Sequence, residues 1–192
     1  RGCIIPNPQI QKAAFVHGDT LTFRDASVDD AEFILSLRTD AGKSKYLSTT
    51  SGDVDAQRQW LEKYASAAGQ AYFIIEYEGQ SIGTVRLYDQ RGDSFSWGSW
   101  ILMEGRPRHA AMESALMVYS FAIDFLGFDA CHFEVMKGNE RVIQFHERFG
   151  VERVGENEDT YFFELGKDAI RSSLSRYGQF LSKRVAVDWS VA

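Results

Sequence analysis

The stretch Phe133-Glu134-Val135-Met136-Lys137-Gly138-Asn139-Glu140-Arg141-Val142-Ile143-Gln144-Phe145-His146-Glu147-Arg148-Phe149-Gly150-Val151 reads as a strand, a polar break and a helix with no slack between them. Phe133 and Val135 alternate with Glu134 and Met136, the two-residue period of a strand. After Asn139 the period changes: Val142, Ile143, Phe145 and Phe149 fall at helical spacing, and Asn is a common helix-start residue. Gly150 supplies the stop, since a residue without Cβ takes the left-handed conformation after a last helical turn at little cost.

The neighbouring segments extend the pattern in both directions. Residues 113 to 125 are apolar on nearly every side, with Leu116, Tyr119, Phe121, Ile123 and Phe125, and Gly127 ends them; such a helix is expected to lie buried against a sheet. Before it, residues 72–77, the turn Glu78-Gly79-Gln80 and residues 81–88 outline a hairpin, and Gly92-Asp93 leads into a strand over 95–103. Leu21 and Phe23 mark a first strand. Ser27, with Asp30 three residues on, reads as the N-cap of a helix carrying Ala31, Phe33, Ile34 and Leu37. A loop follows to about residue 52, and Asp53 caps a second helix with Trp60, Leu61 and Tyr64 on one stripe, ending near Gly69. Residues 1–20 hold Pro6 and Pro8 with no sustained period and read as an N-terminal arm. Beyond Gly150, residues 151–154 and 161–165 pair as strands. A helix over about 168–183 then sets Ile170, Leu174, Tyr177 and Leu181 on one face, to cover the sheet or to pair with a second copy as a homodimer. The order β-α-α-β-β-β-α-β-α-β-β is a mixed α/β layout. One domain is expected over residues 21–166, with 167–192 as its helical extension.

At 192 residues, 44% hydrophobic and 25% charged, the chain suits a single globular domain with a full core. A formal charge of −6 argues against nucleic acid or an anionic membrane as partner and leaves room for a local basic pocket. Cys3 and Cys131 stand too far apart in sequence to suggest a disulfide framework or a metal-ligand spacing, which points to a reducing compartment. No apolar run approaches the roughly 20 residues of a membrane span. With no charged-then-apolar leader, the cytoplasm is the expected location.

From Trp100 to Gly150 a second order emerges: Trp100-Ile101, then Arg106-Pro107-Arg108-His109-Ala110-Ala111, Glu113, Tyr119-Ser120-Phe121, Leu126-Gly127-Phe128, and Asn139 after the next strand. This order and spacing resemble the GNAT superfamily of N-acetyltransferases, above all the branch with ribosomal-protein N-terminal and amino-sugar acetyltransferases. The resemblance implies an acyl-CoA N-acyltransferase fold, a mixed but mostly antiparallel twisted sheet flanked by helices. It also implies transfer of an acetyl group from acetyl-CoA to a primary amine by direct attack. The diphosphate of CoA would meet the loop and helix start at Arg106, Arg108, His109, Ala110, Ala111 and Met112, where unpaired N–H groups and the positive dipole end favour an anion. His109 stands at the usual glycine position and Pro107 removes one N–H donor, losses that Arg106 and Arg108 can offset with charge-assisted bonds. The backbone of Trp100, Ile101 and Leu102 would pair with the pantetheine arm and polarise the thioester carbonyl. Asn139 would reach the pantetheine, act as an N-cap, or both, with Arg141 also on the CoA side.

His146 stands where many members carry a tyrosine that protonates the departing thiolate, and imidazole can serve as acid or hydrogen-bond donor. Its bland alternative is an ordinary amphipathic-helix histidine. For the general base, residues 95–103 offer no glutamate, which leaves Glu104, His109, or a water held by backbone and Ser99. On the acceptor side Arg38, Lys43, Lys45 and Tyr46 cluster on an acidic chain and suit a phosphate-bearing molecule. Arg86 and Tyr88 share one strand face, and Trp97 and Ser99 share a face of the next, as aromatic platforms or as core. Residues 85–88, 96–102 and 137–141 look like GNAT proteins associated with surface-polysaccharide biosynthesis, which implies an amino sugar or nucleotide-linked amino sugar as acceptor. A protein N-terminus, a small amine, or a catalytically weak acyl-CoA-binding module are the alternatives.

Overall fold

The computed structural model describes residues 7–39 and 53–189. Its elements in chain order are β1 (Ala13–His17), β2 (Leu21–Asp25), a 3-10 turn (Val28–Asp30) leading into α1 (Ala31–Thr39), α2 (Val54–Ser66), β3 (Ala71–Tyr77), β4 (Gln80–Arg91) and β5 (Ser94–Leu102). There follow α3 (Ala110–Ser120), extended by a π-helical turn (Phe121–Phe125), β6 (Ala130–Met136), α4 (Glu140–Glu147), β7 (Glu152–Glu156), β8 (Thr160–Gly166), α5 (Lys167–Arg176) and β9 (Ala186–Trp189). The strands form one sheet in the order β7-β8-β6-β5-β4-β3-β2-β1-β9. Every neighbouring pair is antiparallel except β5 with β6.

The alternation of β3 separates two cores. Phe73 and Ile75 join Leu87, Trp97 and the α3 residues Leu116 and Tyr119 in the larger one. Tyr72 and Ile74 face the other way and meet Ile34 of α1 and Leu61 and Tyr64 of α2. Every residue of α3 except Ala111 is buried, as an all-round apolar helix requires. Both expected caps form: Asp30 closes a capping box with Ser27, and Asp53 accepts from the Asp55 amide at 2.8 Å.

Three expectations change. Part of the expected arm, Ala13–His17, is strand β1, held between β2 and β9. Helix α3 starts three residues before Glu113, because the Ala110 amide bonds the Pro107 carbonyl at 3.0 Å and the Glu113 amide bonds that of His109 at 2.9 Å. The last helix stops at Arg176; Gly178 follows, and the chain turns back as β9 instead of extending as helix. Ile170 and Leu181 of the expected stripe both sit in the larger core, Leu181 from the returning loop.

Candidate acyl-transfer cleft

Strands β5 and β6 pair only at Ser94 with Ala130 and Phe95 with Cys131, and then part. On its other side β5 carries a bulge. Thr84 faces Ile101 and Arg86 faces Gly98, so Val85 alone opposes both Ser99 and Trp100. Ser99 takes the left-handed conformation (φ 46°), and the Thr84 hydroxyl donates to its carbonyl at 2.8 Å. The extra residue shifts the alternation: the rings of Trp97 and Trp100, three positions apart, lie 5.2 Å from each other. Trp97 and Ser99 therefore do not form the shared face expected for a regular strand. Gly83 lies opposite, where a Cβ would stand 2.3 Å from the Ile101 carbonyl oxygen, so the close approach of β4 needs glycine.

The parting strands open a cleft of about 610 Å³, large enough for a thioester arm and part of an acceptor. Trp97, Trp100, Val142 and His146 line it on the α3 side of the sheet. Arg38, Arg86 and Tyr88 line it on the side of α1 and α2, Gly98 and Ser99 on β5, and Glu134, Met136, Asn139 and Asp159 on β6, the start of α4 and the β7–β8 turn. Eight expected residues thus converge: Arg38, Arg86, Tyr88, Trp97, Ser99, Trp100, Asn139 and His146.

His146 is only 4% exposed and packed among aromatic rings, with Phe133 at 4.2 Å, Trp97 at 5.5 Å and Phe145 at 5.9 Å. Its Nδ1 is buried without a partner, and burial pushes its pKa down to about 3. Burial thus favours the neutral imidazole near pH 7. Asn139 occupies the N-cap position of α4 without a side-chain cap bond, and lines the cleft instead. Trp97 is 4% exposed, with its indole N–H donating to the Tyr119 hydroxyl at 3.3 Å, so it is core that forms a wall and not a projecting platform.

The other expected residues lie apart from this wall. Ile101 and Leu102 have buried side chains and offer only main chain. Glu104, Arg106, Arg108 and Arg141 are exposed and do not line the cleft. Arg106 donates to the Met103 carbonyl at 3.4 Å. His109 turns away from the loop mouth: its Nε2 lies 2.7 Å from the Thr20 hydroxyl and its ring meets Tyr77. Beneath it the buried Glu113 carboxylate accepts from the Thr20 amide (2.8 Å), the Thr20 hydroxyl (2.6 Å) and the Leu21 amide (2.7 Å). Ala110 and Met112 are buried, so this helix start presents backbone rather than side chains. Lys43, Lys45 and Tyr46 lie outside the described residues.

Arg86 sits 4.3 Å above the Tyr88 ring and 5.7 Å from the Trp60 ring of α2. Arg38 stands near the Tyr72 hydroxyl. Sequence reading passed over Trp60 as part of a helix stripe, and over Glu134 and Asp159. Glu134 had a signal in its outward alternation on β6, whereas Asp159 lies just before β8, where its residue type carries none.

Residues 20–152 match the family model described as an acetyltransferase (GNAT) domain. Comparison with curated proteins finds no match. Among solved structures, the apo form of FdhC, a nucleotide-linked sugar GNAT, is 37% identical with a TM-score of 0.76, covering 89% of this chain and 97% of its own. A GCN5-related N-acetyltransferase from Brucella melitensis superposes with the same score of 0.76 at 17% identity, over 91% and 87% of the two chains. A chimera of spermidine N-acetyltransferase SpeG from Vibrio cholerae and hSSAT gives 0.68 at 15%, over 80% and 99%. The parted strands, the bulge beside them and a family match across most of the sheet agree: the chain belongs to the GNAT family of acetyltransferases.

Proposed function

We propose that the chain transfers the acetyl group of acetyl-CoA to the primary amine of a nucleotide-linked amino sugar. The observation that carries this reading is the cleft at the parting of β5 and β6, which opens to both faces of the sheet. A donor arm entering from the α3 side meets an amine arriving from the side of α1 and α2, which fixes their relative orientation. The 37% identity to a nucleotide-linked sugar GNAT and the arginines on the second side support the choice of acceptor.

The residues present fit acetyl-CoA, which supplies an activated acyl thioester when bound. The backbone of Trp100, Ile101 and Leu102, displaced from regular register by the bulge, offers N–H groups to the pantetheine arm and the thioester carbonyl. The first turn of α3 at Ala110, Ala111 and Met112 offers its positive dipole end to the diphosphate, with Arg106 and Arg108 exposed beside it. Asn139 orients the pantetheine. Neutral His146 gives the departing sulfur a hydrogen bond rather than a proton. A C–N bond forms as the C–S bond breaks, and the amine's proton passes to water beside Ser99 or to Glu134, the carboxylate that β6 sets in the cleft.

The test is thiol release from acetyl-CoA with a panel of nucleotide-linked amino sugars, free amino sugars, spermidine and peptide N-termini. The expected result is one acetamide per thiol, with the nucleotide-linked sugars at least tenfold ahead in kcat/KM. Binding of acetyl-CoA without turnover on any amine would leave an acyl-CoA-binding module. Fastest turnover on spermidine or a peptide would move the acceptor to that class.

A further inference from the structure

We infer that Arg86, with Arg38 beside it, is the subsite for the acceptor's diphosphate, on the opposite face of the sheet from the phosphates of the donor; this rests on the acyl-transfer reading above. The face follows from register. Arg86 pairs with Tyr72, and directly opposed residues of an antiparallel pair project to the same side. Tyr72 belongs to the smaller core under α1 and α2, whereas Leu87 and Trp97 belong to the larger core with α3. An anion held at the N-terminus of α3 therefore lies across the sheet from Arg86.

The environment of Arg86 is that of a guanidinium waiting for a counter-ion. Its Nε is buried with no hydrogen-bond partner, and among the described residues no carboxylate pairs with it. Its surroundings are the rings of Tyr88 and Trp60, the hydroxyls of Tyr72 and Tyr64, and the like charge of Arg38. Burial and that like charge both lower its pKa. A contrast stands two strands away on the same face: Arg24 of β2 forks onto Asp30 at 2.8 and 3.0 Å and reaches Glu76 at 3.4 Å. Arg24 is a satisfied structural arginine. A half-buried cation without a carboxylate partner is costly in the protein alone, and an anion entering the cleft lowers that cost. Two guanidiniums lining one cleft match the two charges of a diphosphate, and the planar fork suits phosphate oxygens.

Calorimetry with uridine, thymidine and guanosine diphosphates and with inorganic pyrophosphate tests the subsite on the full chain. Binding that weakens from 50 to 300 mM salt is expected, and Arg86→Gln should weaken it about 10- to 100-fold, with Arg86→Lys recovering part. Arg86→Gln should melt at or above the native temperature, because it removes a half-buried charge that no carboxylate among the described residues compensates. Arg24→Gln should melt lower and keep native diphosphate affinity. In turnover, Arg86→Gln should raise KM for the nucleotide-linked sugar by a similar factor and leave KM for acetyl-CoA unchanged. Diphosphate affinity unchanged by Arg86→Gln, or a loss of several degrees in its melting temperature, would overturn the inference. So would equal kcat/KM for the free and nucleotide-linked sugar, an outcome that leaves acyl transfer itself standing. Diphosphate binding lost in Arg86→Gln in a protein that acylates no amine would do the reverse, supporting the subsite while rejecting the function.

Discussion

Replacing His146 with Phe should change how stability responds to acid. The ring is 4% exposed, and burial takes its pKa from the ordinary 6.5 to about 3. Between those values the unfolded chain binds a proton that the folded chain refuses. The contribution is therefore complete above about pH 6.5 and is lost as the pH falls, at about 1.4 kcal/mol per unit. From pH 7.5 to 5.0 the loss amounts to about 2 kcal/mol for this one group. The phenyl ring of His146→Phe has no such proton to refuse. Urea unfolding of both proteins at the two pH values should give the native chain an excess loss of about 2 kcal/mol. Every other group is common to the two proteins and cancels in the difference. Parallel losses would mean that His146 takes up its proton in the folded state, and would return the ring to the role of an acid at neutral pH.

Glu113→Ala strands three donors on Thr20 and Leu21 and should cost about 3 kcal/mol in urea unfolding, with Glu113→Gln costing roughly half; a loss within 0.5 kcal/mol, roughly the effect of an ordinary surface change, would show that the tie is dispensable. Gly83→Ala drives a Cβ against the Ile101 carbonyl and should cost about 2 kcal/mol while raising KM for acetyl-CoA; native values for both would refute the close approach. Ser99→Gly relieves a left-handed serine and should stabilise by about 0.5 kcal/mol, whereas Ser99→Val should cost roughly 1–3 kcal/mol, read as melting shifts of opposite sign.

The segment from Phe133 to Gly150 was readable because every signal in it is local. Alternation gave β6, the helical period gave α4, and Gly150 does take a left-handed φ of 82°. Strands β1 and β9 escaped the same reading, since each is short and its partner lies some 170 residues away in sequence, as the pair His17 and Ala186 does. The bulge was hidden for a different reason. A left-handed residue within a strand usually announces itself as glycine, but here Gly98 is the neighbour and Ser99 takes the turn, held by Thr84 from the next strand. Without the bulge, strand alternation assigns Trp97 and Trp100 to opposite faces. The neutrality of His146 was equally out of reach: its spacing marks a helix, while its pKa depends on rings from β5, β6 and α4 that only the fold assembles.

The parting of β5 and β6 exposes strand edges inside a sheet, and something must keep it from closing. The last paired residues are Phe95 and Cys131. At this point Tyr119 of α3 meets both strands: its hydroxyl accepts from the Trp97 indole N–H of β5 at 3.3 Å, and it lies beside the Cys131 thiol of β6. All three side chains are buried. Just beyond, His146 and Trp100 fill the gap on the α3 side, and the bulge turns β5 outward on the other. The buried polar contact at the apex and the aromatic bulk beyond it mark where the strands pair and where they part. The apolar, uncharged donor wall follows from this arrangement, because the same rings that stand beyond the apex are the ones that strip His146 of solvent and of its proton. The charged groups of the lining, Arg38, Arg86 and Glu134 among them, stand away from that wall. The cleft thus has an apolar wall on the α3 side and charged groups of both signs in the rest of its lining.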